Sequence, residues 1–155
     1  MLSETKYTII RHSNIYGPHD KYDLDRSHVF GATITKVLTA KKKIEVWGTG
    51  NEIRDFLYAD DLVNFIKIAI NKQKTQYEIF NCGSGIPIKV KDLVKKIIKI
   101  SKKDINIQFN KTKPTIPFNM YLNIKKSEKE IGWKPKIDID TGIKKTIRWW
   151  NKNIK

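Results

Sequence analysis

His28 is one of three histidines, with His12 and His19, the side-chain type best suited to moving a proton. Imidazole titrates near neutral pH, and the residues that follow have helical periodicity, so His28 would stand on rigid backbone. The plainer reading is a histidine that begins a helix and bonds locally. Arg54 is a second candidate, because a guanidinium fork matches phosphate oxygens; a pairing with Asp55 or Asp60 is open too. Asp60 and Asp61 look like an acid/base pair on paper. Adjacent helix residues point apart, however, and aspartate is favoured at helix starts, so both are expected to cap. Cys82, the single cysteine, cannot form an internal disulfide, which agrees with a reducing compartment, and it is expected to be structural. Gly48-Thr49-Gly50 and Gly83-Ser84-Gly85 each lack the third glycine of a dinucleotide fingerprint. Neither is followed by an acidic residue at the ribose-reading distance in a strand-helix-strand unit. Both read as turns at strand ends, so no cofactor-binding residue is assigned, and no metal site.

The elements that must position these residues alternate between strand and helix. Tyr7–His12 is β-prone and leads into a polar loop through Tyr16-Gly17-Pro18 to Arg26. Ser27 is the expected N-cap of a helix from His28 to about Ala40. Ile44–Trp47 reads as a strand, and Ile53–Tyr58 as one extended run. A helix opens at Asp60 or Asp61, with Leu62, Phe65, Ile66 and Ala69 on its buried face. Tyr77–Asn81 is a strand, Val90–Ile100 an amphipathic helix, and Ile105–Phe109 a strand. Asn110–Asn119, with Pro114 and Pro117, is the longest loop. Ser127–Ile131 is a short helix closed by Gly132. The last helix starts near Asp138 or Asp140, with Ile143, Ile147 and Trp150 on one face. Trp149 and Trp150 are expected at the rim and in the core. The fold class is α/β.

Composition narrows the partners. Hydrophobic residues make up 39% of the chain, too many for disorder. No apolar run approaches the ~20 residues of a membrane span. The opening residues have no leader layout, so the cytoplasm is the expected location. The net charge of +15 favours anionic partners. The excess is lysine scattered through every segment, with only Arg11, Arg26, Arg54 and Arg148 as arginines. Base readout favours arginine forks and stacked aromatics, so a solvated lysine surface is expected rather than a nucleic-acid site.

Three segments carry a family resemblance. Arg11-His-Ser-Asn14-Ile-Tyr16-Gly17-Pro18 resembles the Arg-x-x-Asn-x-Tyr-Gly-Pro motif of extended short-chain dehydrogenases acting on nucleotide sugars. Gly48-Thr-Gly50-Asn-Glu-Ile-Arg54-Asp55-Phe56-Leu57-Tyr58-Ala-Asp60-Asp61 resembles their second signature. Ile131-Gly132-Trp133-Lys134-Pro135 resembles their closing Leu-Gly-Trp-x-Pro pattern. The run Gly17-Pro-His-Asp20, followed by Ser27-His28-Val29, is similar to the epimerase/reductase branch typified by GDP-L-fucose synthases.

The resemblance implies the carboxyl-terminal portion of an extended Rossmann-type sugar-nucleotide epimerase: a late strand of the sheet plus the small substrate-binding domain. Residues 1–155 would be one substrate-binding portion, without the dinucleotide-binding portion. It makes His28 the catalytic acid and Asn14, Lys36, Trp47 and Arg54 substrate contacts, with Arg54 on the diphosphate. Lys36 stands where the family often has arginine, keeping the charge and losing the fork. The complete enzyme would use NADP(H) or NAD(H), act on a nucleotide-diphosphate sugar and form a homodimer. This chain alone would bind no cofactor and be inactive unless another chain supplied the rest. The family's Tyr-x-x-x-Lys has one match in spacing, Tyr121 and Lys125, which lies in the wrong stretch and reads as coincidence; Asn123 stands where the family has aspartate. A 4-epimerase or dehydratase of the same superfamily, or a non-catalytic remnant of the cleft, are the alternatives.

Overall fold

Strand and helix alternate along the computed structural model, which describes residues 5–154. The opening residues read as lacking a leader fall largely outside that range. β1 (Tyr7–His12) lies parallel to β6 (Tyr77–Cys82), with α2 (Ala59–Lys72) and α4 (Lys125–Ile131) packed nearby. β3 (Lys43–Trp47) lies parallel to β8 (Asn106–Asn110), beside α1 (Val29–Thr39), α3 (Val90–Ser101) and α5 (Ile139–Asn153). Two short pairs join these halves: β2 (Asn14–Tyr16) parallel to β5 (Phe56–Tyr58), and β4 (Ile53–Arg54) antiparallel to β7 (Ile88–Lys89).

The period of two along a strand explains why all three residues of β5 are buried. Phe56 and Tyr58 point into the larger core with Tyr16, Phe30, Ile34 and Leu93, while Leu57 points into a second core with Phe65, Phe80 and Trp133. One short strand therefore feeds both cores. α3 follows its sequence pattern: Val90, Leu93, Val94 and Ile97 are buried, and its lysines lie on the other faces. Gly132 closes α4 in the left-handed conformation at φ 68°.

Several expectations need correction. The N-cap of α1 is His28, not Ser27, whose hydroxyl is buried without a partner. The expected single run at 53–58 breaks at Asp55, because β4 and β5 pair with different strands in different directions. Ile66 is exposed, and Ile68 packs on the core instead. Asp61 does not cap α2. It is buried and accepts the amides of Lys136 (3.0 Å) and Ile137 (2.9 Å), tying the later chain to α2. Asp60 is left as an exposed first-turn charge. The strands β2 and β7 were not expected at all; two or three residues are too few to display a period. Among the described residues, no helix is long and apolar enough to cross a membrane.

Of the two aspartates considered for the start of α5, Asp138 is the cap. Its carboxylate accepts the Thr141 amide at 2.9 Å and the Thr141 hydroxyl at 2.8 Å, which hold its pKa below the ordinary aspartate range. Asp138→Ala is expected to cost ~1 kcal/mol at pH 7 in urea unfolding. A depressed folded pKa means stability that is present above the unfolded value and lost as pH falls. The gap between wild type and variant should therefore shrink below about pH 4.

Candidate functional site

A cavity of about 430 Å³ opens between α1, the end of β3, the 48–54 turn and the 114–116 loop. Asn14, His28, Lys36, Trp47 and Arg54 all line it. These five residues span forty positions of sequence, and β2, the start of α1, β3 and β4 bring them to one place. The volume falls within the usual range of small-molecule sites, ~300–1,000 Å³.

His28 is held as the helix cap. Its backbone is extended (φ −73°, ψ 169°), its carbonyl accepts the Ala32 amide at 2.9 Å, and its side chain is exposed. The preceding loop is strapped to the same helix: Thr35 donates to the Tyr22 carbonyl (2.7 Å), and the Tyr22 hydroxyl donates to the Gly17 carbonyl (2.6 Å). Trp149 stacks on Tyr22 at 5.6 Å, fastening the strap to α5, while Trp150 lies in the core. Asp20 Oδ2 and the hydroxyls of Ser13 and Ser27 are buried without partners, all in the segments that carry Asn14 and His28. Burial pushes the Asp20 carboxyl up, against the opposing pull of the Lys21 amide and of His28. Polar groups buried without partners cost stability, and three of the six such side chains among the described residues lie in these segments.

The cationic residues are already oriented. Arg54 Nη1 donates to the carbonyls of Ile53 (2.8 Å) and Phe118 (2.7 Å), and Nη2 donates to Ile116 (2.7 Å). It pairs with neither Asp55 nor Asp60; it holds the 116–118 loop. A guanidinium has five donors, so two remain for a ligand. Lys36 Nζ donates to the Glu45 carbonyl at 3.0 Å and lies 5.8 Å from the Trp47 ring centre, and burial lowers its pKa. Lys113 Nζ lies 5.6 Å from the same ring. Trp47 is 48% exposed, so it is not a core residue; its indole is a plate flanked by two ammonium groups. Asn14 Nδ2 donates to the Asp55 carbonyl at 2.8 Å, and the Asn14 amide donates to the same oxygen at 3.1 Å.

Asp55 is the centre of the framework behind the cavity, and its function was not anticipated. Its carboxylate, in a residue 1% exposed, accepts the Ser84 amide (2.8 Å), the Ser84 hydroxyl (2.6 Å), the Gly85 amide (3.1 Å) and the Leu122 amide (3.2 Å). The turn at Gly83-Ser84-Gly85 is thus already wrapped around an anion, and a Cβ on Gly83 would come within 2.5 Å of Asp55 Oδ2. Such a turn has no place for a pyrophosphate. The Gly48–Gly50 turn is filled by Thr115, Phe109 and Lys91, and it leads into a strand rather than a helix. Neither glycine turn fits a dinucleotide. Cys82 is fully buried, and its thiol is pushed up to about 12, first by burial and then by Asp61 and Asp55, which agrees with a structural role. Tyr121 is exposed, and Lys125 begins α4. Sequence reasoning also missed Glu52 and Thr115 as cavity residues. Glu52 was within reach, two positions before Arg54 in the same turn; Thr115 lies in a loop with no period to betray it.

The family model for the NAD dependent epimerase/dehydratase family matches residues 2–83. The chain is 34% identical over 152 residues to the GDP-L-colitose synthase of Yersinia pseudotuberculosis, covering 96% of this chain and 49% of the relative. It is 32% identical to a GDP-L-fucose synthase of Sinorhizobium fredii, covering 92% and 46%. The UDP-glucose 4-epimerase of Thermotoga maritima, solved with UDP-glucose, superposes with a TM-score of 0.86 at 27% identity, over 97% of this chain and 47% of that one. The chain spans about half the length of the curated relatives it matches.

Asp55→Asn leaves the carbonyl that holds Asn14 and should disturb the carboxylate contacts that hold the 83–85 turn and Leu122. An amide of the same size turns donors toward donors. Urea unfolding is expected to show a loss of ~2–4 kcal/mol, as for several charge-assisted hydrogen bonds broken together.

Proposed function

This chain belongs to the NAD-dependent epimerase/dehydratase family, and from that premise we propose that it is the substrate-binding portion of an epimerase/reductase acting on a GDP-4-keto-6-deoxymannose-like sugar nucleotide, inactive by itself. The observation that carries this reading is that Asn14, His28, Lys36, Trp47 and Arg54 line one cavity. Arg54 and Lys36 supply positive charge for a diphosphate, Trp47 a flat surface for a base or sugar, and Asn14 a polar contact.

His28 supplies the proton. Epimerisation beside a ketone removes a proton from carbon and returns one to the opposite face. An imidazole on a helix cap at the cavity wall suits the returning step. Any nicotinamide cofactor of the complete enzyme, NADP(H) or NAD(H), would be held by residues outside the described ones. Among those, β1 and β6 pair only with each other. Tyr7 and Ile9 on β1 and Ile66 and Ile70 on α2 are exposed apolar side chains, a surface that suits a docked second half. A 4-epimerase, the activity named for the Thermotoga maritima structure, is the second reading, and it would not need His28.

The test separates the two readings. With the remaining half restored by fusion or as a separate chain, His28→Gln should retain substrate binding and slow epimerisation by ~10²–10⁴-fold. Reduction of the ketone should suffer less, so the products should shift toward sugar reduced without inversion. Inversion at the wild-type rate would remove His28 from the chemistry and favour the 4-epimerase or dehydratase reading.

A further inference from the structure

Two carboxylates line the cavity that neither the diphosphate nor the proton transfer uses: Glu45, whose Oε2 accepts the Asn110 side-chain amide at 3.0 Å, and Glu52. Glu52 lines it, half-buried, and among the described residues its carboxylate accepts no hydrogen bond and pairs with no cation. It shares that state with Asp25, Asp60, Asp92 and Asp104, and of these five only Glu52 lines the cavity. Nor is the residue loosely held. The Glu52 carbonyl accepts the Val90 amide at 3.0 Å and the Gly50 carbonyl accepts the Lys91 amide at 2.8 Å, so the first turn of α3 fixes this backbone. The carboxylate lies over Gly48: a Cβ there would come within 2.9 Å of Glu52 Oε1 and would collide with the Thr115 methyl. Trp47, whose indole is exposed, and Glu52, whose carboxylate is unpartnered, line the same cavity on either side of Gly48 in the chain.

A plate with a carboxylate at its edge selects among bases. Guanine offers two adjacent donors, N1–H and its exocyclic amine, which one carboxylate can accept together. Uracil and thymine offer a single ring N–H between two carbonyl oxygens, which a carboxylate repels. Adenine offers an amine beside an unprotonated ring nitrogen. A two-bond contact of this kind discriminates between bases by ~1–3 kcal/mol, or about five- to 150-fold.

We propose that Glu52 reads the base, accepting N1–H and the amine of a guanine stacked on Trp47, and thereby selects guanosine over uridine diphosphate sugars. This rests on the nucleotide-sugar reading of the cavity given above. It bears on a choice that the relatives leave open, since they include enzymes named for GDP-sugars and for UDP-glucose.

The test is calorimetric titration of this chain with GDP, inosine diphosphate, 2′-deoxy-GDP and UDP, in wild type and Glu52→Gln. Inosine diphosphate is GDP without the amine, so stacking and phosphate contacts are matched. Wild type should prefer GDP to inosine diphosphate by about tenfold, and to UDP by at least as much. In Glu52→Gln the first ratio should fall to near one. UDP should gain, because a carboxamide can accept the uracil N–H and donate to its carbonyl. Glu52 has no partner to lose, so the variant should melt with wild type. Equal binding of GDP and inosine diphosphate by wild type overturns the proposal without recourse to any variant. An unchanged preference in Glu52→Gln also overturns it, as does a loss of affinity confined to 2′-deoxy-GDP, which would put the carboxylate on the ribose; in each case the diphosphate site stands. Failure of every nucleoside diphosphate to bind overturns the cavity reading and this inference together.

Discussion

The buried carboxylate of Asp55 is the constraint on which the rest of this structure depends. It sits between β4 and β5, two strands too short to hold a register alone, and it satisfies donors from Ser84, Gly85 and Leu122. Its backbone carbonyl takes both amide groups of Asn14. Strand β5 feeds both cores, so fixing Asp55 fixes the relation of the two cores and, through the larger one, the wall of the cavity. A charge this deep is tolerable only while its donors stay in place. The sheet, the 83–85 turn and the 122 segment therefore stand or fall together.

The cavity inherits its order from that framework. Arg54, the neighbour of Asp55, cannot choose its own direction: the Phe118 and Ile116 carbonyls orient it and it orients their loop in return. Lys36 is similarly pinned to the Glu45 carbonyl. Both cations spend side-chain entropy at folding rather than at ligand binding, a condition for a well-formed polyphosphate site. Glu52 differs in having its backbone fixed and its carboxylate free.

Long periodic elements were legible in the sequence. The buried stripe of α3 and the left-handed close of α4 at Gly132 follow from spacing and residue type. The convergence of Asn14, His28, Lys36, Trp47 and Arg54 was legible through motifs and a family resemblance, not through periodicity. What escaped were interactions between distant segments. Asp61 looks like a helix cap until Lys136 and Ile137 arrive 75 and 76 positions later. A pairing of Arg54 with adjacent acids stays open in the sequence until the Ile116 and Phe118 carbonyls take its donors. Ser27 looks like a better cap than His28, yet its hydroxyl turns inward. In each case a local preference yielded to a contact that no window of neighbouring residues contains.

The central claim is that these five residues form one ligand site in a chain that is basic everywhere. Amide and side-chain NMR of this chain during titration with GDP-mannose tests it most directly. Saturable shifts are expected at Asn14, His28, the Trp47 indole and Arg54, with the lysines of α3 unmoved. Shifts spread across the lysine surface, or absent at Arg54 and Trp47, would contradict it.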